Sequence, residues 1–387
     1  MKIRRYISWL MVTGTLLPVT SCSDDSSDVK GTSDSLELIA VSKPFADAKP
    51  WTRAEFLPDG YVPYNVLYPT TTPDHTTIGV FMTPERASAV GNFIYQGTDG
   101  DGINIWKSTI AVTTGTDYFM YGFMPREDAE SATISPLGDT SNAYGGYDVG
   151  ATINLINFNT LTPSDVCVMV GARWASESEK INGLEAPLDL GKFIYTGHDQ
   201  GDNRAFVIIK HIYAGLHFMA HIDPEYHKLR KIKLTKVELE AIDVPQSVNL
   251  SITVRANNTN TDPVESIVYD DSSSPLVNST VQLFPYTNSL TEYEVPEVAI
   301  DFLGCFAPTK ARDFKFKCHY NVYDSHDNLI REDCYAENRL NSVMIPNLQT
   351  LAAGEVQSID FLIKPTYLYV LSDPDLDNPV FELTTTP

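Results

Sequence analysis

Hydrophobic and polar residues alternate along this chain in short stretches, which turn residues separate from one another. Tyr118–Phe123, Asn249–Val254 and Gln357–Ile363 are typical, because their β-branched and aromatic side chains favour extended strands. Clusters of Asp, Asn, Gly and Pro, such as residues 324–328, mark turns between the strands. Long stretches with helical spacing are missing from the sequence. The pattern therefore predicts an all-β fold built from antiparallel β-sandwiches.

One short apolar segment stands apart from the other predicted strands at the beginning of the chain. It covers residues 36–41, and Glu37 is its single polar residue. The irregular residues 43–53, which include Arg53, separate it from everything that follows. An exposed linker of this kind is open to proteolysis.

The length of the chain and its polar links predict two domains. A chain of 387 residues is longer than a single hydrophobic core usually supports. The polar, proline-containing link Asp223-Pro224-Glu225 follows an apolar run. We therefore predict an N-terminal β-sandwich over residues 36–223 and a C-terminal β-sandwich over residues 224–387.

The N-terminus has the pattern of a bacterial lipoprotein. Basic residues precede an apolar run over residues 7–19, and Thr20 and Ser21 lie directly before Cys22. A run of about 13 residues is too short to cross a hydrocarbon core of ~30 Å. We predict a signal peptide over residues 1–21, cleavage between Ser21 and Cys22, lipid (palmitate) on Cys22 and an acidic flexible tether over residues 22–35. A plain signal peptide with an incidental cysteine is the alternative.

The net charge of the chain limits the classes of partner that it is expected to bind. The sequence has 50 acidic and 28 basic residues, a net charge of −22. Such a balance repels nucleic acid and anionic lipid, so no nucleic-acid partner is expected. It suits a cell-surface protein.

Four cysteines remain besides Cys22, and one pair can be argued from strand register. Residues 314–323 and 329–335 predict two strands around a turn. If Tyr323 faces Leu329, Cys318 lies opposite Cys334, at a separation that permits a cross-strand disulfide. Two free buried thiols are the alternative.

Catalytic and metal motifs are weak. His211, His217, His221 and His227 are close in sequence, but a structural or surface role suits them better than zinc binding. Residues 373–377 alternate Asp like a calcium loop, yet the glycine and the last glutamate of such a loop are replaced. No recognised catalytic signature is present. We therefore expect a protein that is not an enzyme, with no cofactor and no metal.

The order of several short segments resembles the fimbrillins, the subunits of type V pili of Gram-negative anaerobes. The resemblance covers most of the chain and includes the lipoprotein start and the early strand followed by an arginine. Its further segments are Ile78–Met82, Asn92–Tyr95, Trp106–Ser108, Tyr118–Pro125, Ile209–Phe218 and Pro365–Asp375.

The resemblance implies two transthyretin-like domains and a structural role in a fimbrium at the cell outer membrane. It implies that an arginine-specific protease cuts between Arg53 and Ala54, and that a strand of another pilin subunit replaces the first strand. If the replacing strand buries six apolar side chains, they contribute on the order of 10 kcal/mol before ordering costs. The displaced residues would be Leu36, Leu38, Ile39, Ala40 and Val41.

Two alternatives to this processing stay open. The first strand could remain in place, as in a terminal or anchor subunit, and the short apolar segment over residues 380–383 is a weak donor for a stalk. Alternatively, the chain is a surface lipoprotein that does not polymerise and binds a glycan or host ligand. Trp51, Trp106 and Trp174 are the aromatic residues that could stack on sugars.

Overall fold

The fold is nearly all β, which confirms the class predicted from the sequence. The computed structural model describes residues 35–42, 46–47, 62–63, 78–83, 89–98, 104–138, 146–163, 165–174, 190–197, 204–259, 261–285, 291–309, 313–366 and 373–384. Among these residues no helix is both long and apolar enough to cross a membrane.

The described residues before position 200 form twelve strands. They are β1 (Ser35–Ser42), β2 (Ala46–Asp47), β3 (Val62–Pro63), β4 (Ile78–Thr83), β5 (Ala89–Thr98), β6 (Asn104–Ala111), β7 (Asp117–Met124), β8 (Ser131–Pro136), β9 (Gly150–Asn159), β10 (Leu161–Thr162), β11 (Cys167–Trp174) and β12 (Ile194–Thr196).

The described residues after position 200 form the remaining strands, one helical turn and one 3₁₀ turn. They are β13 (Arg204–His211), β14 (Ala214–Ile222), α1 (Pro224–His227), β15 (Arg230–Pro245), β16 (Ser247–Arg255), β17 (Val264–Asp270), β18 (Leu276–Phe284), β19 (Tyr293–Glu294), β20 (Ile300–Phe306), β21 (Asp313–Asp324), β22 (Leu329–Leu340), the 3₁₀ turn Pro346–Gln349, β23 (Glu355–Thr366) and β24 (Asp375–Thr384).

The alternation of residue types explains why these segments form strands. In β21 the side chains of Phe314, Phe316 and Tyr320 are buried, whereas the intervening lysines lie on the other face. Lys317 pairs there with Glu240 of β15, with Nζ 2.7 Å from the carboxylate. Successive side chains of a strand point to opposite faces, so this alternation buries one face of the sheet.

The described strands form four sheets around three hydrophobic clusters. Sheet A has the order β11-β13-β1-β6-β5-β4-β7-β12, with β3 paired to β1. Because β7 also pairs with β11, the seven strands from β11 to β7 close on themselves. Sheet C (β17-β16-β9-β8) packs against sheet A across one cluster. Sheet B (β10-β20-β14-β23, with β2 and β24) packs against sheet D (β18-β15-β21-β22, with β19) across another. The third cluster contains apolar residues of sheet A and Val112, directly after β6.

The predicted domain boundary at residues 223 and 224 divides strands that share a sheet. β14 precedes the boundary but pairs with β20 and β23 in sheet B. β16 and β17 follow it but lie in sheet C, where β16 pairs with β9. The chain therefore crosses more than once between the half formed by sheets A and C and the half formed by sheets B and D. The transthyretin-like arrangement of the strands stays a prediction.

The polar segment that suggested the boundary is a capped helical turn. The Asp223 carboxylate accepts hydrogen bonds from the backbone N–H groups of Glu225 and Tyr226, and Pro224 begins α1. This is the usual stabilisation of a helix N-terminus. Tyr226 is buried and donates its hydroxyl hydrogen to the Leu376 carbonyl at 2.6 Å. Residues 223–227 therefore belong to the packed structure.

Candidate functional site

The first strand lies in the interior of sheet A. β1 pairs in parallel with β13 from Glu37 opposite Arg204 to Ser42 opposite Ile209. On its other side it pairs antiparallel with β6, where Leu38 lies opposite Trp106. We call the position between β13 and β6 the β1 slot. Without β1, the two neighbouring strands would each lose a row of backbone hydrogen-bond partners.

Leu36 anchors β1 in the cluster inside sheet A. Its side chain is fully buried with Val80 of β4, Phe93 of β5 and Trp106 of β6. β13 contributes Val207 to the same cluster. A strand that enters the β1 slot must therefore supply an apolar side chain at the position of Leu36.

The one polar residue of the predicted strand has a partner on the neighbouring strand. Glu37 lies opposite Lys107 of β6, and its Oε1 is 2.6 Å from the Lys107 Nζ. Both side chains are partly exposed, so the ion pair contributes little stability. The ion pair allows the charged Glu37 to follow the fully buried Leu36 directly in the strand.

The segment after β1 reaches a second sheet. β2 pairs in parallel with β23 of sheet B, Ala46 opposite Glu355 and Asp47 opposite Val356. Because β1 and β2 lie in different sheets, the residues from 35 to 47 connect sheet A to sheet B. Removal of this segment would leave an open position in sheet A and an open edge at the start of β23.

The C-terminal apolar segment belongs to a longer strand. β24 pairs antiparallel with β23, with Leu383 opposite Phe361 and Phe381 opposite Ile363. The Phe381 side chain is buried, with its ring centroid 5.2 Å from that of Tyr320. The segment predicted as a short donor is thus ten residues long and is paired within its own chain.

The predicted register of Cys318 and Cys334 is wrong. Tyr323 does face Leu329, as expected, but two irregularities in β22 shift the pairing by two residues. Cys318 therefore lies opposite Ala336, and Cys334 lies opposite Tyr320. Diagonal neighbours on a sheet are about 7–8 Å apart, farther than the Cα separation of a disulfide. Both thiols are free and buried, and burial raises the pKa of each.

Asp333 marks one of these irregularities. It has a φ of 53°, in the left-handed region that is typical of a β-bulge. The Asn321 side-chain oxygen accepts a hydrogen bond from the Asp333 backbone N–H at 3.0 Å. A bulge of this kind leaves little trace in the alternation of residue types, which is why the register prediction missed it.

The three histidines from residue 217 to residue 227 each lie beside an Asp or Glu carboxylate. His217 Nε2 is 3.1 Å from Asp301, and His221 Nδ1 is 3.0 Å from Asp360. His227 pairs with Glu297 through Nδ1 and with Glu294 through Nε2. These pairs are consistent with the predicted structural or surface role.

The alternating aspartates near the C-terminus take arginine and backbone partners. Arg230 donates to Asp377 at 2.9 Å. Hydrogen bonds from the Asn378 side chain and the Asp377 N–H to the Asp375 carboxylate lower the pKa of Asp375. A guanidinium group of the chain itself, that of Arg230, thus lies beside this turn.

The structure brings together three residues that the sequence did not connect. Asp165 precedes β11, Cys167 begins β11, and His211 ends β13 directly opposite Cys167. All three are buried, and their ligand atoms lie within 4.8 Å of one another. Burial, and then the Asp165 charge, raise the pKa of the Cys167 thiol. The 44 positions between Cys167 and His211 hide this cluster from any local sequence pattern.

No protein-family model matches the sequence, and no curated protein matches it. Solved structures do resemble the chain. A candidate cell adhesion protein from Bacteroides fragilis is 11% identical, with a TM-score of 0.38, over 91% of this chain and 98% of that chain. A fimbrial protein from Bacteroides vulgatus is 10% identical, with a TM-score of 0.26, over 80% and 91%. The fimbrial anchor protein Mfa2 from Porphyromonas gingivalis is 9% identical, with a TM-score of 0.23, over 90% and 94%.

These solved structures are of fimbrial and adhesion proteins. The predicted lipidation and processing residues Ser21, Cys22, Arg53 and Ala54 lie outside the described residues. Lipid attachment and cleavage therefore stay predictions.

Proposed function

We propose that this chain is a structural, non-enzymatic subunit of a cell-surface fimbria, in a stalk, tip or accessory position. It would assemble by strand exchange after proteolytic removal of the first strand. The single observation that carries the proposal is the place of β1. It is the first strand of the described chain, yet it lies inside sheet A with Leu36 fully buried.

This place is what strand exchange requires. A strand near one end of the chain can leave after a single cut, because only one covalent connection holds it to the rest. Its departure exposes apolar side chains and two rows of backbone groups, which a strand from another subunit can satisfy. The fully buried Trp106 and Phe93 are the side chains that a replacement strand would cover.

The path from β1 to β2 supports a replacement strand longer than β1 itself. The segment follows β13 in sheet A and then the start of β23 in sheet B, in parallel with both. A donor that follows the same path would contact both sheets. Its length would make the connection between subunits harder to reverse, since both ladders must open before it can leave.

The alternative of a glycan-binding surface lipoprotein receives less support. Trp106, one of the aromatic residues considered for sugar stacking, is fully buried beside Leu36. Its burial suits a packing role in the β1 slot. Lipid attachment at Cys22 and a location at the outer membrane belong to the proposal and rest on the N-terminal sequence pattern.

The first experiment tests processing on cells. The N-terminal residue of the surface protein should be Ala54, and unheated samples should give ladders in SDS. Arg53→Ala and Arg53→Lys should both retain the earlier N-terminus and lose the ladders, because the protease requires arginine. Arg86→Ala, at the next arginine in the sequence, is the matched control and should change neither. Unchanged ladders and N-terminus in both Arg53 variants would contradict the proposed processing.

The second experiment tests the β1 slot directly. A labelled peptide with the sequence of residues 35–42 should enter the processed chain and remain bound during size-exclusion chromatography. It should not enter the intact chain, because the attached strand competes at an effective concentration of about millimolar. A peptide with Leu36→Asp is the control and should not enter either chain. Equal uptake of the two peptides would exclude specific strand replacement.

A further inference from the structure

The buried residues Asp165, Cys167 and His211 converge on one point. His211 Nδ1 is 2.9 Å from Asp165 Oδ1, 2.7 Å from Asp165 Oδ2 and 3.5 Å from Cys167 Sγ. An imidazole nitrogen carries at most one hydrogen, so it can donate to one of these atoms at a time. A carboxylate and a thiol, both potential metal ligands, thus lie within 3.5 Å of one imidazole nitrogen, itself a potential ligand.

The donor set has the chemistry of a transition-metal site. Carboxylate oxygen, imidazole nitrogen and thiolate sulfur are the three donor types that proteins use for Zn²⁺. With metal–ligand distances of about 2.0–2.3 Å, a tetrahedral ion separates nitrogen and sulfur by about 3.5 Å. The observed distance from His211 Nδ1 to Cys167 Sγ is 3.5 Å. The carboxylate needs a shift of about half an ångström to reach the corresponding separation.

Burial makes charge compensation important at this point. Asp165 and Cys167 are fully buried, and His211 is 2% exposed. A buried carboxylate is costly unless a cation or hydrogen bonds compensate its charge. A divalent ion would compensate one carboxylate and one thiolate with no net charge left over.

A second buried thiol lies near the cluster. Cys305 of β20 is fully buried, but it is not among the residues whose ligand atoms lie within 4.8 Å of one another. Ligands of one tetrahedral ion with bonds of about 2.0–2.3 Å lie less than about 4 Å apart, so Cys305 is outside the ligand set.

We propose that Asp165, Cys167 and His211 bind one divalent transition-metal ion of the zinc class. The site is structural, because all three ligands are buried and no substrate reaches the ion. It joins β11 to β13 two residues beyond the point where Ser42 pairs with Ile209. This inference does not depend on strand exchange.

The first test measures metal in the unmodified protein. The full chain, purified from cells grown with added zinc sulfate and dialysed against metal-free buffer, should contain about one zinc per chain. After removal of zinc, Co²⁺ should restore one equivalent, with a sulfur-to-cobalt charge-transfer band and the visible spectrum of tetrahedral cobalt. A folded chain that holds no stoichiometric zinc and gives no such spectrum would overturn the site. It would identify the cluster as a hydrogen-bonded His–Asp pair beside a thiol.

The second test assigns the ligands. Asp165→Asn, Cys167→Ser and His211→Gln should each weaken zinc affinity by more than the roughly 10–100-fold typical of losing an outer-shell partner. Cys318→Ser changes a buried thiol elsewhere and should keep full affinity. Unchanged zinc affinity in both the Cys167 and the His211 variant would overturn the proposal. If a variant does not fold, the zinc content of the unmodified protein still decides the proposal.

Discussion

Single residues decide how firmly β1 is held in sheet A. Leu36 is fully buried among large apolar side chains. Glu37 beside it is satisfied at the surface by Lys107. The strand thus combines one strong apolar anchor with a polar position that faces solvent. The apolar pattern of residues 36–41 predicted a buried strand, but nothing local could identify Lys107 as a partner 70 residues away.

Leu36→Ala should destabilise the intact chain by about 2–5 kcal/mol, because it removes a buried side chain and leaves a cavity. The change in free energy of unfolding is measured by urea denaturation. Ile94→Ala on β5 is the control, since Ile94 is 54% exposed, and its effect should stay within about 0.5 kcal/mol. Equal effects of the two substitutions would mean that β1 contributes nothing to the core.

Asp324 should make the turn between β21 and β22 sensitive to acid. Hydrogen bonds from the Asn328 side chain, and from the backbone N–H groups of Asn328 and His326, lower the pKa of its carboxyl from 3.8. A lowered folded-state pKa adds stability above the ordinary value, and this stability is lost as the pH falls through the folded value. A carboxyl ¹³C NMR titration should find Asp324 ionised below pH 3.8, and Asp324→Asn should flatten the stability curve in that range. A midpoint at or above 3.8 would contradict the hydrogen bonding of the turn.

At the scale of elements, strand existence was easier to predict than strand pairing. β1 was predicted over residues 36–41 and covers Ser35–Ser42. Its parallel pairing with β13 was not predicted, because partners so distant in sequence leave no local signal. The same reason explains the register of β22, where irregularities shift Cys334 away from Cys318. The alternation of apolar and polar residues indicates which face of a strand is buried, but it does not indicate which strand lies beside it.

The pairing of β9 with β16 depends on a glycine at the start of β9. Gly150 has a φ of 131°, and a Cβ there would lie 2.2 Å from the Val254 carbonyl oxygen. Gly150→Ala should therefore destabilise the chain through both backbone strain and a collision with β16, by more than about 1–3 kcal/mol. Thermal unfolding followed by circular dichroism measures the effect.

Gly138→Ala is the matched control for this prediction. Gly138 also has a positive φ, of 75°, but a Cβ there meets no atom within 4 Å. It should show the strain alone and a smaller loss of stability. A Gly150→Ala variant no less stable than Gly138→Ala would show that the close approach to β16 is relieved without cost.

At the scale of the whole molecule, the two halves share strands and core residues. β16 and β17 complete sheet C beside β8 and β9, although they follow the predicted boundary. Leu303, Cys305 and Val356, from strands of sheet B, belong to the same cluster as residues of sheets A and C. Cutting the chain at the boundary would expose parts of these cores.

A fragment of residues 22–223 should therefore not fold alone. It lacks the β16 neighbour of β9, so β9 would lose a row of backbone hydrogen bonds, and Ile153 and Leu155 would lose their apolar neighbours Ile252 and Leu250. Expressed separately it should be insoluble or lack a cooperative unfolding transition, whereas co-expression with residues 224–387 should recover soluble complex. A soluble fragment with a cooperative transition of its own would support independent domains as first predicted.

The all-β class, the separate first strand and the turns follow from the sequence, because side-chain alternation and turn residues act over a few neighbouring positions. The tertiary structure sets which strands pair, where irregularities shift the register and how the chain crosses between its two halves. It also brought Asp165, Cys167 and His211 together. These features depend on contacts between residues far apart in sequence, where loop closure and the packing of whole sheets, not local preference, determine the outcome.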